Sequence, residues 1–177
     1  MSNSKYSLRI RKMVYAAICL ALALVLPFLT GQIPQLGKML CPMHIPALLC
    51  GFICGPVWGM LVGFVAPILR SLIFGAPVMF PTAISMAFEL LTYGLISGIF
   101  YLRFPKKNVY IYITLIISMI AGRIVAGISM YLLLATKGQA YALSTFISVN
   151  FVTAIPAIIL QLVLIPVLVM ALKKTAK

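Results

Sequence analysis

Aspartate is absent from this sequence, and one glutamate and one histidine complete its short list of acid–base residues. That scarcity excludes paired catalytic aspartates, carboxylate-rich metal sites and any triad completed by Asp. No GxxxxGK[ST] segment occurs, so ATP hydrolysis by a P-loop mechanism is closed to this chain. The four cysteines, Cys19, Cys41, Cys50 and Cys54, lack zinc-site spacing. Cys50 and Cys54 stand one helical turn apart in an apolar run and read as small packing residues, whereas Cys41 is left unassigned. No metal and no cofactor is expected.

Charged residues are 8% of the 177 and hydrophobic residues 64%, with a mean hydropathy of +1.18. Such values lie far outside soluble domains. Because a spanning helix needs roughly 20 apolar residues, the chain has room for six helices joined by short connections. The expected fold is therefore an all-α membrane protein, a single domain over residues 1–177 built as one compact bundle of six transmembrane helices.

A net charge of +13 raises the question of nucleic acid, since basic patches bind phosphate backbones. The positions argue otherwise. Lys5, Arg9, Arg11 and Lys12 lie at the start, Arg103, Lys106 and Lys107 midway, and Lys173, Lys174 and Lys177 at the end. Each cluster abuts an apolar run, as cytoplasmic anchors do under the positive-inside bias. Counting from a cytoplasmic amino terminus returns the middle and final clusters to the inside after four and six crossings, so both termini are expected in the cytoplasm. Lys38 and Lys137 fall outside, and Arg70 and Arg123 within spans.

The first apolar run, Met13 to Thr30, follows a basic flank but lacks a small-x-small cleavage site before Gly31-Gln32, so it reads as a helix and not as a signal peptide. Gly31 to Met43, with Gly31, Pro34 and Gly37, reads as a loop that could cap a site. From Ile45 the chain stays apolar until Arg70, and Gly55-Pro56 divides it into a short second helix and a third from about Val57 to Phe74. Gly75-Ala76-Pro77 ends the third. A fourth spans about Thr82 to Leu102, a fifth about Val109 to Thr136, and a sixth about Leu143 to Leu172, interrupted by Pro156 and Pro166. Lipid tolerates such prolines only where neighbours satisfy the freed carbonyls. Gly51, Gly55, Gly59 and Gly63, Gly94 and Gly98, and Ala17 and Ala21 recur at four-residue steps that permit close helix approach, internally or against a partner.

Ionisable side chains inside a membrane are costly by a few kcal/mol and mark function by default. Three occur here: Arg70 about five residues below the outer end of the third helix, Glu89 two turns below the outer end of the fourth, and Arg123 near the middle of the fifth. At 1.5 Å per residue Glu89 sits roughly 10 Å beneath the outer surface. Thr82, Ser85, Glu89 and Tyr93 share one helix face, and Asn150, Thr153, Ala157 and Gln161 make a weaker stripe on the last helix. Two such faces meeting would form a polar cavity; helix packing is the plainer reading of both. Ala126, Gly127, Met130 and Tyr131 lie one or two turns above Arg123 on its side, the two small ones leaving space. A Glu89–Arg123 pair fixing two helices accounts for both residues, yet two arginines against one glutamate still leave about one positive charge, which a carboxylate on a solute would neutralise in a bidentate fork. Arg70 alternatively snorkels to the outer headgroups. His44, framed as Pro42-Met43-His44-Ile45-Pro46, stands between a structural hydrogen bonder and a ligand contact. Met79 and Phe80 are either lid residues or interfacial anchors.

Six short helices, Ala17-Ile18-Cys19-Leu20-Ala21 as an AxxxA pattern, the Gly55-Pro56 turn, and Pro67-Ile68-Leu69-Arg70 with Phe88-Glu89-Leu90 within Pro42–Tyr101 resemble the S components of energy-coupling factor (ECF) vitamin transporters. The resemblance covers nearly the whole chain through short motifs. It implies a subunit of the prokaryotic cell membrane that binds one vitamin from outside, while a transmembrane coupling subunit and two ATPase subunits supply the energy. It also implies that Ala17 and Ala21 meet the coupling subunit, and that the ligand lies beneath the loops after the first and third helices and among the last three. Glu89, Tyr93, Arg123 and Asn150 fall there. Positive surplus favours a carboxylate-bearing vitamin, with pantothenate first and pyridoxine-type vitamins, biotin and niacin open. The rival readings are a stand-alone proton-coupled carrier using Glu89, an intramembrane enzyme and a scaffold.

Overall fold

The computed structural model describes residues 2–30, 37, 39–105, 107–139 and 141–175. Most of the expected capping loop, residues 31–36 and 38, lies outside them, as do Lys106 and Lys177 of the basic clusters.

Helix α1 (Ser2–Val25) passes into a 3-10 turn, Leu26–Thr30. Pro27 falls in that turn, and a residue without an N–H cannot continue the α-helical ladder. α2 (His44–Cys54) and α3 (Pro56–Phe74) are separated by a single residue, Gly55, whose φ of 95° is open to glycine and strained for other residues. Pro56 then opens α3, where its missing N–H has no partner to lose. A π-turn (Met79–Ala83) leads into α4 (Ile84–Arg103), followed by α5 (Asn108–Ala135). α6 (Leu143–Ile147) continues through a second π-turn (Ser148–Val152), and α7 (Ile155–Thr175) closes the chain. The described residues contain no strand.

Among the described residues, five stretches are long and apolar enough to cross a membrane: Tyr6–Leu29, Pro56–Phe74, Met79–Arg103, Asn108–Ala135 and Ile155–Leu172. Two helical stretches are shorter, His44–Cys54 and Leu143–Val152. With 11 residues, α2 is about 16 Å long, half the ~30 Å hydrocarbon thickness. The expected single helix from Leu143 to Leu172 is divided at Thr153–Ala154, just before Pro156, whereas Pro166 is carried inside α7 without a break.

Polarity is inverted relative to a soluble bundle. Leu61, Val65 and Leu72 of α3, Ile116, Ile120, Ile124 and Ile128 of α5 and Ile159, Val163 and Val167 of α7 are exposed, while Ser85, Glu89, Ser97, Arg123 and Gln161 are buried. Lipid is the solvent that accepts such an exterior. Arg9, Arg11 and Lys12 are exposed on the first half of α1, and Arg103 and Lys107 are exposed at the end of α4 and just before α5.

Gly51, Gly59, Gly63, Gly94 and Gly98 of the small-residue repeats serve internal packing. A methyl added to Gly94 would meet the Gly59 carbonyl oxygen at 2.1 Å, one on Gly63 the Leu90 carbonyl oxygen at 2.2 Å, and one on Gly51 the Gly94 carbonyl oxygen at 2.6 Å. Backbone therefore lies directly on backbone along α2, α3 and α4, as close small-residue packing allows. On α1, Ala16, Cys19 and Ala23 face this seam, and Ala17 and Ala21 are exposed on the opposite side.

Candidate functional site

Glu89 points into the bundle from α4, and the Tyr93 hydroxyl, one turn on, donates to its Oε1 at 2.8 Å. The same oxygen meets His44 Nε2 at 3.3 Å, so the first residue of α2 and the second turn of α4 are joined at a buried carboxylate. The His44 and Tyr93 rings lie 5.4 Å apart. Tyr93 finds room because its neighbour on α5 is Gly122, where a methyl would stand 2.1 Å from the ring. Nearer the start of α4, the Ser85 hydroxyl donates to the Ala126 carbonyl of α5 at 3.0 Å.

Arg123 follows Gly122 and is 3% exposed. It makes no contact within salt-bridge distance of Glu89, whose carboxylate meets His44 instead. Nη1 donates instead to the backbone carbonyl of Asn150, in the π-turn where α-helical pairing is broken. The Asn150 side chain turns back to the Phe146 carbonyl at 3.1 Å, and Phe151 presents its ring to the guanidinium at 5.8 Å. Nε and Nη2 of Arg123 are buried with no partner. Their N–H bonds run parallel along one edge of the guanidinium, the edge that takes a carboxylate bidentate. His44 Nδ1, Thr114 Oγ1 and both amide atoms of Gln161 are likewise buried without partners.

The structure thus brings together His44, Glu89 and Tyr93 as one group and Arg123 with Asn150 as another, the two joined across Tyr93 and Gly122. Arg70 stands apart. Its Nη1 donates to the Leu24 carbonyl of α1, and its guanidinium lies 5.0 Å from the Phe28 ring and 5.3 Å from the Phe74 ring. In a 3-10 turn the Leu24 carbonyl would pair with the N–H of residue 27, which is proline, so that acceptor is open to Arg70. Tyr131 also differs from expectation: it is 58% exposed and lines a groove of about 440 Å³ on the outer surface of α5 and α6, with Ile128, Tyr141 and Phe146. Eight residues past Arg123 is about 80° around a helix, enough to turn it from the interior to the lipid side. Met79 and Phe80 form the turn before α4, and Lys137 of the α5–α6 connection lies 4.6 Å over the Phe80 ring.

Cys41, unassigned in the sequence, stands at this site. Burial and the Glu89 carboxylate push its thiol up to about 12, with Arg123 pulling the other way. Its φ of 43° is left-handed, a strained conformation for a residue with a Cβ and one that accompanies functional sites. Gln161, visible in the sequence only as the end of a weak stripe, is fully buried in α7. The described residues hold no group of three or more His, Cys, Asp or Glu arranged for a metal, and the four cysteines form no disulfide.

No curated protein and no solved structure matches the chain. A family model, ECF transporter, substrate-specific component, matches residues 11–169. That match covers almost the whole bundle, and the chain accordingly belongs to the ECF substrate-specific components, multi-pass membrane subunits that bind a small substrate and work with the ECF module instead of catalysing a reaction.

Proposed function

We propose that the chain captures a carboxylate-bearing vitamin from the exterior, pantothenate foremost, and that Arg123 is the residue that holds the carboxylate. The observation that carries this reading is the vacant fork of Arg123: two parallel N–H groups, buried and unpaired, beside a glutamate that His44 and Tyr93 already engage. An unpaired guanidinium edge in a low-dielectric interior is costly, and an anionic ligand removes that cost. Glu89, with two of its roughly four lone-pair sites in use, keeps His44 and Tyr93 in place and retains capacity to accept from a hydroxyl or amide of the solute. Asn150, Met79 and Phe80 frame the outer side, and Arg70 ties α1 to α3.

Six crossings with both termini in the cytoplasm complete the reading. Cys54, at the end of α2, shares a buried cluster with Ala16 and Cys19 of α1, about three turns below the level at which Phe74, at the end of α3, meets Phe28 at 5.0 Å. α2 therefore returns the chain toward the cytoplasmic half before α3 rises again. His44 begins that descent about two turns below the outer end of α4, so half a span of helix suffices. Ala17 and Ala21, exposed on α1, are the surface offered to the coupling subunit of a prokaryotic plasma membrane, which in turn carries two ATPase subunits.

Mass spectrometry of small molecules released from the purified protein, followed by titration against a vitamin panel, tests the assignment. A carboxylate-bearing vitamin is expected in both. A neutral ligand, or none, defeats it. Co-purification with ATPase subunits is the expected behaviour in membranes, whereas uptake by the chain alone in liposomes under a proton gradient supports the stand-alone carrier.

A further inference from the structure

Gln161 is 0% exposed, and neither its amide nitrogen nor its amide oxygen has a hydrogen-bond partner. A primary amide buried in this way forfeits both a donor and an acceptor, and the simpler alternative of leucine at the same position would leave nothing unmet. Its layer in the bundle follows from its neighbours. The core joins Leu115 and Met119 of α5 to Ile165 and Val169 of α7, with Leu48 of α2 and Tyr93 of α4 in the same cluster. Nearer the outside, Arg123 of α5 reaches Asn150 just before α7. Gln161 lies one turn outward from Ile165 and one turn inward from Ala157, both fully buried on the same face. It therefore falls between the apolar core and the guanidinium, facing the interior that α5 and α2 also line.

We infer that Gln161 is a specificity-determining residue that reads a second, neutral group of the solute, so that the substrate class is a carboxylic acid carrying an amide or hydroxyl that lies deeper in the bundle than its carboxylate. This rests on the assignment of the carboxylate to Arg123. An amide or hydroxyl offers a donor and an acceptor together, the complement of what Gln161 presents. A plain aliphatic or aromatic acid satisfies Arg123 and leaves the Gln161 amide empty. Sites built to bond a polar group reject analogues that lack it far more strongly than apolar pockets reject an extra methylene.

The test uses the full-length chain in lipid nanodiscs, with pantothenate as the acid bearing amide and hydroxyl groups and nicotinate and octanoate as acids without them. Wild type is expected to prefer pantothenate by at least about tenfold. Gln161→Leu and Gln161→Met are expected to cut that preference at least about tenfold while changing octanoate affinity little, and to leave the apo thermal midpoint equal to or above that of wild type. An unchanged preference in both variants, or a wild type that prefers the plain acids, overturns the role of Gln161 with Arg123 untouched. Loss of folding in both variants also overturns it, because the amide then serves the fold. Failure of wild type to bind any of the three acids removes the carboxylate reading and this inference with it.

Discussion

Replacing Arg123 by methionine separates holding a solute from holding the fold. The side chain has one hydrogen bond, from Nη1 to the Asn150 carbonyl, and two unpartnered nitrogens, Nε and Nη2. A carboxylate on that vacant edge makes two charge-assisted hydrogen bonds at about 1.5–3 kcal/mol each. Their loss weakens binding by ~3–6 kcal/mol, or ~10²–10⁴-fold in Kd at 1.4 kcal/mol per decade. Stability moves little: the Asn150 carbonyl forfeits a donor at about 1 kcal/mol, and removal of an unpaired buried charge, replaced by an apolar chain of similar volume, offsets that. Arg123→Lys keeps the charge without the planar fork and is expected to fall between, at roughly 10–100-fold. Isothermal titration of pantothenate into nanodisc-embedded wild type and variants gives the Kd values, and the apo thermal midpoint is the control. A Kd for Arg123→Met within about threefold of wild type refutes the argument, because a fork that can be removed at no cost holds nothing.

The remaining predictions concern the surroundings of that fork. Glu89→Leu leaves the His44 and Tyr93 donors without their acceptor and is expected to destabilise by about 2–4 kcal/mol, read as a lowered unfolding midpoint; an unchanged midpoint shows the Glu89 cluster to be incidental. Because the Cys41 thiol is held up to about 12, it is protonated at neutral pH, and maleimide labelling should keep accelerating about tenfold per pH unit beyond the range where an ordinary thiol near 8.5 levels off. Glu89→Gln removes one upward influence on Cys41 and speeds that labelling, whereas Arg123→Met removes the downward one and slows it. Gly94→Ala forces a methyl to 2.1 Å from the Gly59 carbonyl oxygen, and since backbone cannot yield there without parting α3 from α4, poor recovery of folded protein is the expected outcome. Leucine at both Ala17 and Ala21 is expected to reduce recovery of the coupling subunit in pull-downs and to leave solute affinity unchanged.

Much of the site was legible residue by residue and little of it pair by pair. Glu89 and Tyr93 share a helix face four residues apart, so their hydrogen bond follows from local period alone. The contact of Glu89 with His44 spans 45 residues of chain and depends on where a half-length helix begins, which periodicity does not encode. Arg123 stood out as a charge in an apolar run, but its partner is a backbone carbonyl released at a helix break, and carbonyls carry no sequence signature. Arg70 has the same apolar setting and a different fate, because Pro27 leaves Leu24 an acceptor that becomes visible only once α1 lies beside α3. Tyr131 shows the limit of counting turns loosely: eight residues return a side chain to the right height and the wrong azimuth. The division of the last helix was announced by Pro156, whereas Pro166, in an equally apolar context, is absorbed by the surrounding bundle.

The glycine contacts along α2, α3 and α4 leave no tolerance for even one added carbon where the three backbones meet. That half of the molecule behaves as a keel, closed to sequence drift and to internal sliding. With His44, Glu89 and Tyr93 fixed on that keel, novelty in what the protein recognises is written most freely on α5, α6 and α7, where Arg123, Asn150 and Gln161 stand. A designer seeking a receptor for a different nutrient would hold the first half fixed and diversify the second.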